Sequence, residues 1–154
     1  GRSMIKILCV GKIKESFFKD AISEYSKRLS KYTNLQIIEV DDINSDNINI
    51  ILDKEKELLI KHITSKDYVI TLEIEGKQLD SLELAKKIEE LQIYNSNIVF
   101  IIGGSYGLHQ QIKDRADFKL SFSKLTFPHQ LFRIILLEQI YRAYKIINNE
   151  SYHK

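Results

Sequence analysis

At 154 residues and 44% apolar content the chain is sized for one domain with a proper core, and no run approaches the roughly 18 uncharged apolar residues of a membrane span. The opening Met4-Ile-Lys-Ile-Leu-Cys-Val10 lacks the apolar region and cleavage site of a secretory signal, so a cytoplasmic protein is expected; the single cysteine, Cys9, excludes an internal disulfide and reads as a buried thiol. The formal charge of +2 is uneven: residues 1–32 hold eight Lys/Arg against three acids, residues 33–108 seven against fourteen, and residues 109–154 eight against four. If the two basic ends meet in space they form a surface that attracts phosphate backbones; otherwise they are solvated helix faces.

Gly1, Arg2 and Ser3 precede Met4 and read as an artificial leader, which leaves a single domain over 4–154. Ile5 to Val10 predicts a buried strand that ends in the turn Gly11-Lys12. Phe17, Phe18, Ile22, Tyr25 and Leu29 recur at helical spacing within 15–32. Leu35 to Val40 reads as a second strand and Asp41 to Asn49 as a polar surface loop, followed by a charged helix from about Ile50 to Ile63. Tyr68 to Leu72 predicts a third strand, Glu73 to Asp80 a turn at Gly76, and Ser81 with Glu83 the start of a helix running to Leu91. Asn97 to Ile102 is the most apolar strand and runs into Gly103-Gly-Ser-Tyr-Gly107; a short strand follows near Phe118 to Phe122, and a long helix fills Pro128 to Ile147.

Strands alternating with helices, several of them apolar throughout, predict an α/β fold with a mostly parallel sheet and helices on both faces. The last helix is apolar on every side at 100° per residue. A helix of that kind must be covered all round, so the sheet is expected to take one face and a second copy of the chain the other, giving a homodimer.

Ligands of open α/β sheets bind beyond the carboxyl ends of strands, where Ile101 to Leu108 lies. By itself this glycine loop fits a tight turn as well as a cofactor site. It matches neither G-x-x-x-x-G-K-[ST] nor G-x-G-x-x-G, which removes support for nucleotide hydrolysis and nicotinamide chemistry. His62, His109, His129 and His153 lack paired metal-ligand spacing, and each alone reads as a surface or capping residue.

Phe100-Ile-Ile-Gly-Gly-Ser-Tyr-Gly-Leu108, Leu120-Ser-Phe-Ser-Lys-Leu-Thr-Phe-Pro-His-Gln-Leu-Phe-Arg133, Glu138-Gln-Ile-Tyr-Arg-Ala143 and Tyr152-His-Lys154 together resemble the ribosomal RNA large subunit methyltransferase H family of the SPOUT superfamily. Met4 to Lys12 fits as well, so the resemblance spans the chain. It implies an S-adenosylmethionine-dependent enzyme that methylates N3 of a pseudouridine in 23S rRNA, acting on assembled ribosomes as a homodimer, and a C-terminal trefoil knot of the kind that general rules of chain topology would prune. It also implies cofactor contacts at Leu72, Gly103 and the run Phe122, Ser123, Lys124, Leu125, Thr126 and Phe127. Asp41 to about Asn49 is shorter than in many relatives; being distant from the motif segments in sequence, it is expected not to affect activity.

Methyl transfer to a ring N–H needs a positioned acceptor for the proton or a cation that stabilises the ring anion. The matching positions nominate His153 as proton acceptor, Arg142 as substrate or anion contact, and Tyr152 as a stacking residue. Arg142 also lies four residues after Glu138, which fits a plain intrahelical ion pair equally well. Charge alone nominates Lys12, Lys14, Arg115, Lys124, Arg133 and Lys154 for RNA contact. Two other readings remain: a SPOUT methyltransferase of another RNA such as tRNA, and a ribosome-binding module without catalysis.

Overall fold

The structure, a computed structural model, describes residues 3–94 and 97–151. The element order is β1 (Met4–Val10), α1 (Ser16–Leu29), β2 (Asn34–Val40), α2 (Ile48–Ile60), β3 (Asp67–Gln78), α3 (Ser81–Ile93), β4 (Asn97–Ile102), α4 (Gln110–Arg115), β5 (Phe118–Ser121) and α5 (His129–Ile147). The five strands form one parallel sheet in the order β2-β1-β4-β3-β5. The crossovers β1 to β2 and β3 to β4 run one way across the sheet, and β2 to β3 and β4 to β5 run the other. Crossovers of one hand that reverse direction must use opposite faces. Accordingly α1 and α3 share one face with α5, and α2 and α4 cover the other.

Side-chain alternation fills both layers. Ile5, Ile7 and Cys9 of β1 and Ile98, Phe100 and Ile102 of β4 meet Leu29, Ile88, Leu136 and Ile140 on the α1, α3, α5 side. Leu8, Val10, Val99 and Ile101 meet Leu59 and Ile112 on the other. Each fully buried Ile, Leu or Phe contributes about 1.5–3 kcal/mol, so strands buried on both faces dominate stability. Burial also pushes the Cys9 thiol up to about 12, which leaves it a packing group. Local signals set the helix starts. Asn47 accepts from the amides of Asn49 and Ile50, and Asp80 and Glu83 form a reciprocal capping box at 2.7 and 3.0 Å.

The structure departs from the sequence expectations at four places. Ser3, set aside as leader, is tied in: its hydroxyl meets Thr33 at 3.1 Å and Gln92 at 3.0 Å, and its carbonyl accepts from Asn34. Gly76 does not end a strand; β3 continues to Gln78 because Gly76 packs against the backbone of Lys119 and Leu120, where a Cβ would come within 2.7 Å. The six-residue α4 is too short for periodicity to reveal. Finally, α5 lies between α1 and α3, so neighbours within the chain cover most of it. Leu131, Ile134 and Ile135 remain outside the main core, on one stripe that continues through Glu138 and Arg142.

Candidate active site

Three chain segments meet beyond the carboxyl ends of β3, β4 and β5 around a cleft of about 620 Å³. The first is an irregular stretch within β3. Leu72 pairs with Leu120, and so does Lys77, so residues 73–76 bulge out of the ladder and place Glu73, Ile74 and Glu75 at the cleft wall. Glu73 is fixed by the Thr71 hydroxyl at 2.6 Å and approached by Lys113 at 3.9 Å.

The second segment is the turn from Gly103 to Gly107, closed by Gly107 N donating to Gly104 O at 3.1 Å. A Cβ on Gly103 would lie 2.6 Å from the Gly107 carbonyl oxygen, and Gly107 has φ +79°. Both glycines are therefore dictated by the turn's own closure. The Gly103 backbone lines the cleft, but the steric demand for glycine there comes from Gly107.

The third segment links β5 to α5. Ser121 Oγ donates to Ser123 O, and Ser123 Oγ accepts from Leu125 N at 2.9 Å. Phe122 and Phe127 pack on Phe132 with ring centroids 5.2 and 5.6 Å away, which anchors the segment to the first turns of α5. Leu72, Gly103, Phe122, Ser123, Leu125, Thr126 and Phe127 all line the cleft; Lys124 points to solvent and does not. Leu72 is at once core and cleft floor, whereas Leu125 is 73% exposed and stands at the mouth, so it is no core leucine.

Arg142 lies elsewhere. It donates to Glu138 at 3.0 Å, the i,i+4 pair that spacing suggested, and lines neither cleft. It follows His129 by 13 helical residues, roughly 20 Å along the axis. Tyr152 and His153, with Lys154, lie outside the described residues. Glu150 is held at that far end by Lys145 at 2.8 Å and Tyr32 at 2.8 Å, which keep its carboxyl below its usual range.

Two residues nominated for RNA contact by charge are structural. Arg133 is buried: Nη1 donates to Glu39 at 2.6 Å, and Nη2 to the carbonyls of Val10 and Gly11 at 3.0 and 2.7 Å. Arg115 clamps the carbonyls of Thr64 and Asp67 and pairs with Asp117. Lys12, Lys14 and Lys124 are exposed, with Lys12 3.1 Å from Asp41.

A second, polar cleft of about 650 Å³ adjoins the first and shares Gly104, Ser105 and His129 with it. Asp41 to Ser45 form one of its walls, so this loop, distant from the motif segments in sequence, borders the same site. Glu55 lines the cleft and is only 5% exposed; burial, then the charge of Asp42, raises its pKa against the opposing pull of the Ile43 backbone. Burial and then Arg133 lower that of His129, which disfavours its protonated form. In sequence, Glu55 is an acid in a charged amphipathic helix and carries no distinguishing pattern, and His129 reads as a surface or capping residue.

A family profile described as "Predicted SPOUT methyltransferase" matches residues 4–153. The chain is 57% identical to "Putative ribosomal RNA large subunit methyltransferase H" of Methanococcus vannielii and 55% identical to "Ribosomal RNA large subunit methyltransferase H" of Clostridium botulinum; each match covers 97% of this chain and 99% of the relative. Among solved structures, a probable methylase family protein from Haemophilus influenzae superposes with a TM-score of 0.59 at 14% identity, over 97% of this chain and 70% of that one. The SpoU methyltransferase AviRb from Streptomyces viridochromogenes, solved in complex with AdoMet, gives 0.51 at 9%, over 96% and 62%. At these identities the two structures speak for the fold alone.

Proposed function

The chain belongs to the SPOUT methyltransferase family, and from that premise we propose that it methylates N3 of a pseudouridine in the 23S rRNA of the assembled ribosome, using S-adenosylmethionine and working as a cytoplasmic homodimer. The names of the full-length relatives support the rRNA substrate over tRNA, and over a ribosome-binding module without catalysis. The observation that carries the reading is the three-segment cleft, whose chemistry fits this cofactor. Leu72, Ile102 and Leu120 offer apolar surface to an adenine, the turn from Gly103 to Gly107 presents backbone, and Glu73 and Glu75 set negative charge beside the cleft for a cation. Leu72, Gly103, Phe122, Ser123, Leu125, Thr126 and Phe127 would hold the group. When bound, it supplies an electrophilic methyl carbon on a sulfonium. The third segment, passing from β5 past the other two into α5, is consistent with the trefoil knot that we also assign to this region.

The protein's own task is to orient the acceptor nitrogen and manage its proton. His153 takes the N3 proton, Arg142 steadies the developing ring anion, and Tyr152 stacks on the base. Within one chain Arg142 sits roughly 15 Å along α5 from Phe132, the nearest cleft-lining residue of that helix, which supports their delivery to the cleft of a second copy. The stripe Leu131, Ile134, Ile135, Glu138, Arg142 suits a two-fold antiparallel pairing of α5 helices, which sets Arg142 of one copy beside Leu131 of the other, next to that copy's cleft. Isothermal calorimetry with S-adenosylmethionine tests the reading: one site per chain is expected, and no binding contradicts it.

A further inference from the structure

The second cleft has a composition unlike the first. Glu55, Asp41 and Asp42 line it with Lys12 and Lys14, and Tyr106, 54% exposed, stands beside it. Resting on the methyltransferase reading above, we infer that this cleft receives the base to be methylated and that the Glu55 carboxylate reads a ring N–H on it.

Proximity is the first ground. Reacting atoms must approach to about 3–3.5 Å, so the base pocket has to adjoin the cofactor cleft, and the polar cleft does so across Gly104, Ser105 and His129. The second is Glu55 itself. Among the described residues it makes no ion pair, yet it is 5% exposed and lines the cleft. It takes a backbone hydrogen bond from Ile43 but no counter-charge, and a buried carboxylate without a cation is unfavourable. Gly104 keeps that carboxylate reachable: a Cβ there would stand 3.3 Å from Glu55 Oε2 and 3.1 Å from Val10 Cγ1.

The chemistry of the acceptor closes the case. An ionised carboxylate only accepts hydrogen bonds, so it matches ring N–H donors. Uridine is attached to its sugar through N1 and offers N3–H alone, the proton that must leave. Pseudouridine is attached through carbon and keeps N1–H as a second donor. A carboxylate that accepts N1–H therefore selects pseudouridine while N3 reacts. Tyr106 provides a face for stacking, and Lys12 and Lys14 meet the flanking phosphates.

The test uses the full-length protein and large ribosomal subunits that carry either pseudouridine or uridine at the target position, with methylation rates and cofactor affinity measured for wild type, Glu55→Leu and Glu55→Gln. Glu55→Leu should bind S-adenosylmethionine as wild type does and lose roughly 10- to 100-fold of the preference for pseudouridine. Glu55→Gln, whose amide oxygen still accepts, should keep part of it. An active wild type with an undiminished preference in Glu55→Leu overturns the assignment of Glu55. A wild type inactive on both substrates overturns the methyltransferase reading beneath it.

Discussion

Arg133, buried in α5, donates to Glu39 of β2 at 2.6 Å while its other terminal nitrogen holds the carbonyls of Val10 and Gly11 at the end of β1. Glu39 also accepts from Ile13 N at 2.9 Å, so one carboxylate organises both the loop after β1 and the start of α5. Glu39→Ala leaves a buried guanidinium without its counter-charge and should lower stability by about 3 kcal/mol in urea unfolding. A change below about 1 kcal/mol would show that the two carbonyls suffice.

Two glycines of one turn separate steric closure from backbone conformation. Gly103→Ala forces a Cβ to 2.6 Å from the Gly107 carbonyl oxygen, which should cost about 1–3 kcal/mol and weaken S-adenosylmethionine binding by roughly tenfold or more. Gly107→Ala meets open space but sits at φ +79°, so it should cost only about 1–2 kcal/mol. Calorimetry and thermal unfolding of both variants check the order.

The outward stripe of α5 predicts where the proposed dimer is lost. Ile135→Glu should weaken self-association by roughly 30-fold or more in sedimentation, with each chain still binding cofactor. Methylation should fall with the dimer. A fully active monomer would rule out a site completed by a second copy.

Glu55 has a defined pH signature. Its folded pKa is raised above the unfolded value, so ionisation costs more in the fold than in the unfolded chain; the associated stability is full below the unfolded value and lost as pH rises through the folded one. Glu55→Gln should therefore unfold at a higher temperature than wild type at pH 7 to 8, and the difference should vanish near pH 4. Equal melting at both pH values would mean that the carboxylate is well solvated.

The parallel sheet was legible because β1 and β4 are apolar on both faces, a pattern that only a covered strand tolerates. The cleft segments were legible through a resemblance, since Leu72 and Leu125 carry no chemistry of their own. What stayed hidden depended on distant backbone. Gly76 reads as a turn until Lys119 and Leu120 come to lie against it, and Arg133 reads as a surface charge until Glu39 and two carbonyls surround it. The all-apolar α5 does not reveal in sequence what covers each side, because coverage by α1 and α3 looks the same there as coverage by another chain. The loop from Asp41 to Asn49 is remote along the chain, but parallel strands bring every carboxyl end to one edge, so Asp41 to Ser45 border the site.

The most direct measurement of the central claim is nucleoside mass spectrometry of 23S rRNA after incubating the purified protein and S-adenosylmethionine with ribosomes that lack the modification. One N3-methylpseudouridine per 23S molecule, formed by the wild type and not by a chain truncated after Ser151, is the expected result. No methyl incorporation into 23S rRNA, or incorporation that the truncated chain matches, would contradict the account.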